Sequence, residues 1–150
     1  MNKQILNIGD KNLIYIAGLF DGEGHVSIPI SKRRGQTPQY WLQIGITNRD
    51  KNLLENVQKI LGVGHINIDE RKDNPTKARI CYRWIANSQE AAKVLTKILP
   101  YLRTKRKQAE LGIMFQSKLV RRQFRYNPLT EGELYERQRM KEKLENLNSL

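Results

Sequence analysis

Two carboxylates beside two glycines make residues 16–24 the segment of the sequence best suited to chemistry. The segment reads IAGLFDGEG, and it places Asp21 and Glu23 where a helix is expected to end at Gly22 and Gly24. Acidic side chains at a helix C-terminus oppose the helix dipole, so their presence there requires a reason. A bound cation is one such reason, and two solvated acids in a glycine-rich cap are the structural alternative.

The same segment carries small residues at helical spacing. Gly18 and Gly22 are four positions apart, which places them on one helix face, and Ala17 flanks them. Another backbone can approach such a face closely, so the pattern predicts a helix–helix contact.

The charge of the chain favours a polyanionic partner. The 150 residues include 27 Lys and Arg against 15 Asp and Glu, a net charge of +12. The excess is concentrated in residues 76–150, where 17 − 7 gives +10, with basic clusters at 103–107 and 118–125. Nucleic acid is the usual partner of such a protein, and an acidic membrane surface is a less frequent one.

Composition excludes several other classes of protein. One cysteine, Cys81, and two histidines leave neither a disulfide framework nor a Cys/His zinc site within one chain. No apolar run approaches the length of a membrane span, so we expect a soluble protein with no membrane partner. The single cysteine favours a reducing, intracellular setting.

Hydrophobic periodicity predicts a mixed α+β domain in the order αββαββα. The apolar pattern alternates with period two in the strands and recurs at helical spacing elsewhere. Predicted helices cover 13–20 (capped by Asp10 or Asn12), 51–61, 88–99 (broken at Pro100) and onward to 123, and the predicted strands lie at 26–31, 39–46, 66–68 and 80–84. Thr130 and Glu133 have capping-box spacing for a last polar helix. We expect one domain over 1–150, with a core at about 12–120, a helical tail at about 128–150, and a four-stranded antiparallel sheet.

The predicted sheet has one apolar face and one polar face. Such a wet face is ordinary in antiparallel sheets. Here, however, the polar face carries Gln43 and Trp41, and the first hairpin loop holds three consecutive cations, Lys32, Arg33 and Arg34. Amide and guanidinium groups match the edges of adenine and guanine, and a two-stranded ribbon fits the major groove. Together with the net charge, this face predicts binding of double-stranded DNA.

Residues 16–24 resemble the LAGLIDADG signature of homing endonucleases. Similar positions occur at the expected distances: Ile46-Thr47-Asn48 ends the second strand, Gly62-Val63-Gly64 ends the second helix, and Tyr82-Arg83-Trp84 lies in the last strand. Residues 99–109 are similar to the family's region with a catalytic lysine. The resemblance covers about 12–120 and implies the family's fold, with the helices packed on the face of the sheet opposite DNA.

The resemblance implies a role for each acidic position. Glu23 corresponds to the family's metal-binding acid, where aspartate is more common, and Gly22 offers a backbone carbonyl to the same metal. Asp21 corresponds to the structural acid at the end of the motif helix. Carboxylate, carbonyl and water ligands suit Mg²⁺, so the implied cofactor is Mg²⁺, with Mn²⁺ as a substitute and Ca²⁺ supporting binding without cleavage.

The resemblance also implies residues near the attacking water. Lys105 corresponds to the family's lysine there, and Asn48 occupies a position where Gln or Asn often orders solvent. A phosphate contact or a solvated face is the alternative for Lys105. The family's active-site arginine matches either Arg49 or Lys51, because the loop here is shorter.

A single motif copy implies a homodimer, since cutting both strands needs two catalytic acids. The resemblance places Ala17, Gly18 and Gly22 in the dimer interface, and two-fold symmetry implies a pseudo-palindromic target. Predicted DNA contacts come from the outward side chains of both hairpins and from the first loop: Ser27, Ser31, Lys32, Arg33, Arg34, Gln39, Trp41, Gln43, Asn67, Arg71, Arg79 and Arg83.

The function implied is that of an intron-encoded, site-specific DNA endonuclease with no small-molecule substrate. Two other functions are compatible with the same fold: an RNA maturase, and a DNA-binding regulator that no longer cleaves. By resemblance, the protein would act in an organelle (chloroplast or mitochondrion) or in a prokaryotic cytoplasm.

Overall fold

The computed structural model describes residues 9–69, 80–123 and 128–150. Five helices and six strands occur in this part of the chain: α1 (Asp10–Glu23), β1 (Gly24–Ser27), β2 (Ile30–Ser31), β3 (Gln39–Tyr40), β4 (Gln43–Asn48), α2 (Lys51–Leu61), β5 (His65–Asp69), β6 (Cys81–Asn87), α3 (Ser88–Ile98), α4 (Arg106–Gln123) and α5 (Glu131–Asn148). A short 3-10 helix, Leu99–Tyr101, breaks the chain between α3 and α4 at Pro100, as the sequence predicted.

The predicted four-stranded antiparallel sheet is confirmed, with strand order β1-β4-β6-β5. Its register pairs Gly24 with Ile46 at the start of β1, and Asn48 with Tyr82 where β4 meets β6. Because side chains alternate along a strand, this register gives the sheet one face of even-numbered residues and one of odd-numbered residues. The even-numbered face carries the core.

The core lies between the even-numbered sheet face and the helices. Ile44, Ile46 and Trp84 are fully buried there, against apolar side chains of α1, α2, α3 and α4. Helices therefore cover one face of the sheet and leave the odd-numbered face to solvent. This arrangement confirms the predicted α+β architecture.

The first predicted hairpin is not one continuous pair of strands. β1 and β4 belong to the main sheet, whereas β2 and β3 form a separate two-stranded ribbon in which Ile30 pairs with Tyr40 and Ser31 with Gln39. The interruption falls at Pro29, which has no N–H to donate to a ladder. The carbonyl of Pro29 still accepts a hydrogen bond from the Trp41 amide at 3.3 Å. The prediction of unbroken strands at 26–31 and 39–46 was wrong for this reason.

Helix α1 begins earlier than predicted and ends at the second of the two predicted glycines, since Gly24 is its C-cap residue. It begins at Asp10 with Gly9 as its N-cap residue, so neither Asp10 nor Asn12 caps it. It continues through Gly22 and ends only at Glu23. An added Cβ at Gly24 would overlap the Phe20 ring and carbonyl, so the exit from α1 into β1 requires a residue without a side chain.

The last helix packs against the free edge of β1. Asn148 and Lys141 donate to the carbonyls of Val26 and Ile28, each at 3.0 Å. Met140 and Leu144 are buried in the core. The predicted capping box at the start of α5 is present, and α5 also protects the edge strand from pairing with another chain. No helix in residues 9–69, 80–123 and 128–150 is long and apolar enough to cross a membrane.

Candidate nucleic-acid interface and active site

Glu23 lies at the junction between α1 and the sheet, with its side chain exposed. Its Oε2 accepts a hydrogen bond from Nδ2 of Asn48, the last residue of β4, at 2.5 Å. The side chain of Asn48 is in turn fixed, because its Oδ1 accepts from the backbone N–H of Asp50 at 2.8 Å. The acid and the end of a central strand are therefore joined directly.

Asp21 binds the segment that leads into α4. Its carboxylate accepts hydrogen bonds from the backbone N–H groups of Arg103 (2.9 Å), Thr104 (3.1 Å) and Lys105 (3.1 Å), and from the Thr104 hydroxyl (3.1 Å). Desolvation by burial would raise the pKa of this carboxyl, but the hydrogen bonds from residues 103–105 together hold it below its ordinary value. These bonds supply the reason for an acid at the C-terminal end of α1.

Lys105 reaches the same helix end from the opposite direction. Its Nζ donates to the carbonyl oxygen of Phe20 at 3.2 Å and to that of Gly24. Burial lowers the pKa of this ammonium group, and the nearby Asp21 carboxylate partly opposes the shift. Glu23, Asp21 and Lys105 thus meet within one corner of the fold, where α1, β1 and the start of α4 converge.

Asp21 gives a prediction about stability. We expect Asp21→Asn to lower the free energy of unfolding by about 1–3 kcal/mol, because a neutral amide loses charge-assisted bonds and turns an N–H group toward backbone donors. A carboxyl with a lowered folded-state pKa stabilises above its ordinary value of 3.8, and that contribution is lost as the pH falls through the folded-state pKa. Urea unfolding at neutral and acidic pH measures both effects. The prediction would be contradicted if the difference in unfolding free energy between the two proteins were as large at pH values well below 3.8 as at neutral pH.

The odd-numbered face of the sheet is the candidate nucleic-acid interface. Four of the predicted contact residues share it: Ser27 pairs with Gln43 across β1 and β4, and Asn67 pairs with Arg83 across β5 and β6. The ribbon and its turn present five others, all exposed or partly exposed: Ser31, Lys32, Arg33, Arg34 and Gln39. Trp41, partly exposed, lies between the ribbon and β4. Arg71 and Arg79 lie outside the described residues.

Side-chain hydrogen bonds hold two of the predicted contact residues on this face in place. Arg83 Nη2 donates to Asp69 Oδ2 at 3.1 Å, and Gln43 Nε2 donates to Asn87 Oδ1 at 3.0 Å. Asp69 therefore has a cationic partner on its own sheet. The guanidinium and the amide are both oriented before any partner arrives.

Sequence reasoning missed His25, which lies on the same face two residues after Glu23. Its ring covers Gly45 on the neighbouring strand, where an added Cβ would overlap the ring. Burial lowers the pKa of His25, and the positive charges of Arg83 and Lys105 lower it further. The signal was available, since the period-two pattern that selected Ser27 also includes residue 25.

The two glycines of the small-residue face of α1 lie on the outside of the fold. Gly18 and Gly22 are exposed, and an added Cβ at either would meet open space within the chain. Exposed Ile14 and Tyr15 precede them on the same side of the helix. Ala17 was wrongly placed in an interface, because its side chain is fully buried in the core of its own chain.

Two residues after β4, Arg49 and Lys51, match the position of the family's active-site arginine. Lys51 pairs with Glu55 at 3.5 Å and lies 5.9 Å from the centre of the Tyr82 ring, whereas Arg49 is exposed directly after Asn48.

Metal-binding groups are few in one chain. Within the described residues, no cluster of three or more His, Cys, Asp or Glu side chains is positioned to hold a metal ion. Glu23 and Gly22, the residues that the resemblance implied as metal ligands, both lie at the C-terminal end of α1.

A helix that ends in two acids and leads directly into a sheet with one polar face agrees with the resemblance to LAGLIDADG endonucleases. The profile of that family matches residues 16–117, and the chain belongs to it.

The DNA endonuclease I-CvuI of Chlorella vulgaris is 29% identical over 109 residues. The match covers 70% of this chain and 63% of that protein. The crystal structure of I-CvuI with its DNA target in the presence of Ca superposes with a TM-score of 0.73 at 23% identity, covering 91% of this chain and 82% of that one. The archaeal intron-encoded homing endonuclease I-Vdi141I, complexed with DNA, gives 0.74 at 20% identity, covering 92% and 84%.

Proposed function

We propose that this chain is a site-specific homing endonuclease that hydrolyses phosphodiester bonds of duplex DNA with a divalent cation. The observation that carries the proposal is the position of Glu23 and Lys105 at one end of the sheet face that bears Arg83 and Gln43. Since β1 begins directly after Glu23, a duplex lying along this face brings its backbone to the carboxylate. Recognition and cleavage then use one continuous surface.

What similar proteins bind supports the choice of substrate. I-CvuI has been crystallised on DNA targets, in the presence of Ca and, with the DNA not cleaved, in the presence of Mg. We propose that Mg²⁺ is the cofactor here, that Mn²⁺ can replace it, and that Ca²⁺ supports binding without cleavage.

The donor set suits such a hard cation. Oε2 of Glu23 accepts from Asn48. No other described residue is hydrogen-bonded to the second carboxylate oxygen, Oε1, so this oxygen is free to bind a metal. Glu23 and the Gly22 carbonyl would hold the ion, since both are oxygen ligands of the kind that Mg²⁺ prefers. When bound, the ion would supply positive charge at the scissile phosphate and lower the pKa of a bound water.

Side chains of this chain recognise the DNA and stabilise the negative charge that develops during cleavage. Arg83, Gln43 and Asn67 contact base edges, and residues 32–34 of the ribbon turn hold backbone phosphates, which sets the register of the duplex. The ammonium group of Lys105, carried by carbonyls at the end of α1, faces the developing negative charge.

We propose that the active form is a two-fold dimer built on α1. One chain provides a single Glu23, whereas cutting both strands requires two acids. The exposed Ile14, Tyr15, Gly18 and Gly22 give α1 an apolar, close-packing side that its own chain leaves uncovered. Pairing these sides so that the C-terminal ends of the helices meet brings both Glu23 side chains to the symmetry axis.

The dimer gives a testable substitution. We expect Gly18→Leu to convert the protein from a dimer of about 35 kDa, twice the 17.6 kDa chain, into a folded monomer that cuts at most one strand. The new side chain meets open space within its own chain, and leucine favours helix more than glycine does, so folding is preserved. Light scattering gives the mass and circular dichroism the fold.

The matched control is Asn56→Leu, which adds leucine to an exposed position of α2. We expect this variant to keep the mass and activity of the wild type. A wild type that cuts both strands as a monomer would overturn the dimer.

Arg83 and Arg34 should have different roles in recognition. We expect Arg83→Ala to cost about 1–3 kcal/mol of binding and to relax preference at one base pair per half-site. Arg34→Ala should weaken binding evenly across sequences and reduce the salt slope by about one per half-site. Binding to a set of single-base target variants at several salt concentrations measures both. Asp69→Asn in the Arg83→Ala background controls for the acid left unpaired. Reversed profiles would contradict the assignment.

The function itself is tested by digestion of a randomised duplex library with Mg²⁺, followed by sequencing of the new ends. We expect recurrent cuts within one long pseudo-palindromic sequence. Sequence-specific binding without cuts would replace the proposal with a DNA-binding regulator, and binding to an intron RNA alone would replace it with a maturase.

A further inference from the structure

We infer that Asn48 is a positioning residue that aims Glu23, and that the two side chains are matched in length. This inference rests on the proposed endonuclease function, because it concerns the acid of that site. It assigns Asn48 a contact different from the ordering of solvent that the sequence resemblance implied.

The contact between the two residues has a fixed donor and a fixed acceptor. Nδ2 of Asn48 donates to Oε2 of Glu23 at 2.5 Å. The opposite orientation of the amide is disfavoured, since Oδ1 must face the N–H of Asp50, from which it accepts at 2.8 Å. The amide therefore turns its only donor group toward the carboxylate.

The contact is anchored at a rigid part of the fold. Asn48 ends β4, a central strand, and pairs with Tyr82 of β6. Asp50 caps α2 by accepting from the N–H of Leu53 at 3.3 Å. A chain of hydrogen bonds thus runs from the first turn of α2, through Asp50 and Asn48, to Glu23. The exposed acid at the end of α1 is therefore held by β4 and α2.

Holding one oxygen determines what the other can do. Glu23 is exposed and has more rotatable bonds than aspartate, so an unrestrained carboxylate at this position would sample many orientations. With Oε2 bound to Asn48, the remaining oxygen has a defined direction. Misplacement of a catalytic group by about 1 Å can cost on the order of 100-fold in rate, so this restraint matters for cleavage.

Length matching makes a prediction that depends on the background. Glu23→Asp withdraws the carboxylate by one methylene and breaks the contact, whereas Asn48→Gln advances the amide by one methylene. In the wild-type background Asn48→Gln crowds Glu23 and removes the bond to Asp50, so it should slow cleavage by about 10-fold or more. In the Glu23→Asp background the same substitution restores the contact, so it should accelerate cleavage by at least about 5-fold.

The experiment measures single-turnover nicking of one duplex target with Mg²⁺ for the wild type, both single variants and the double variant. The matched control is Asn87→Gln in both backgrounds, because Asn87 is also a strand asparagine whose side chain bonds another side chain, Gln43. We expect the control to change the rate by the same factor in each background.

A second readout requires neither DNA nor metal. Urea unfolding of the four proteins without DNA and with a chelator gives the coupling between positions 23 and 48. We expect the double variant to be more stable than the sum of the single effects predicts. If the wild type cuts no DNA, the proposed function fails while this coupling still tests the contact.

Two hypotheses about Asn48, that it positions Glu23 or that it serves only the turn into α2, predict opposite effects of Asn48→Gln on the cleavage rate in the Glu23→Asp background. If Asn48 serves only the turn into α2, Asn48→Gln slows cleavage in both backgrounds and the unfolding energies add. That result would overturn the inference. Acceleration in the Glu23→Asp background together with favourable coupling supports it.

Discussion

Glu23→Gln is expected to bind its DNA target with unchanged affinity and to cut it more than about 100-fold more slowly than the wild type. Loss of a residue that only orients a metal ligand costs 10–100-fold in many sites, so loss of the charged ligand itself should cost more. Glutamine keeps the length of the side chain and an oxygen that can accept from Asn48. The substitution therefore removes charge with little change in shape. The sheet face that is proposed to bind DNA is untouched.

Affinity is measured by gel shift in Ca²⁺, and rate by nicking of the same duplex in Mg²⁺. Glu110→Gln is the matched control, because Glu110 is a half-exposed carboxylate that pairs with Arg106 at 3.2 Å, within α4. It should leave both quantities unchanged. Full cutting by Glu23→Gln would remove Glu23 from the metal site and leave the chain without its proposed catalytic acid.

Much of the fold follows from periodicity in the sequence. The apolar positions of α2 and α3 recur at helical spacing, and the alternation in β5 and β6 predicts their pairing. Local patterns suffice here, because each element buries one face against the core. They fail at Pro29, where a missing backbone donor separates β1 from β2 while the apolar alternation continues unchanged.

The site was less accessible to sequence reasoning, because its contacts join distant segments. Asp21 accepts from backbone N–H groups of residues 103–105, and a backbone donor has no residue type that a pattern could reveal. One of the two glycines near the site also misleads, whereas the other, Gly24, does cap the helix. Gly22 suggested the end of a helix, but α1 continues past it, since a helix tolerates an exposed glycine when its other face is buried.

Ala17 shows that a small residue in a helix can indicate either packing within its own chain or contact with a second chain. Small side chains indicate close packing but not the partner, and adjacent positions on a helix point in directions about 100° apart. Gly18 consequently faces outward, whereas Ala17 faces the core between Leu13 and Phe20. Only the burial of each position separates an internal contact from a surface available to a second chain.

Lys105→Met is expected to lower the single-turnover cleavage rate on the order of 100-fold, equivalent to about 2.7 kcal/mol of barrier, with nearly unchanged affinity. The ammonium group is partly buried and is bound by two carbonyl oxygens at the end of α1. A charge held in this way acts mainly on negative charge that develops in the transition state. Methionine keeps the apolar stem of the side chain.

Three roles for Lys105 give three different results. A solvated lysine predicts little change in either quantity, and a phosphate anchor predicts lost affinity with a preserved rate at saturating protein. A catalytic role predicts nearly unchanged affinity with a lower cleavage rate. The dissociation constant in Ca²⁺ and the single-turnover rate in Mg²⁺ separate these outcomes.

Lys107→Met is the matched control, because Lys107 belongs to the same basic cluster and its side chain is exposed. We expect this control to weaken binding modestly, with a smaller salt slope and an unchanged rate at saturation. The contrast matters because both variants remove one positive charge from the same segment. If Lys105→Met and Lys107→Met behave alike, net charge alone explains the effect and Lys105 has no catalytic role. If only Lys105→Met slows cleavage, the ammonium acts from its position at the end of α1, where the carbonyls of Phe20 and Gly24 hold it.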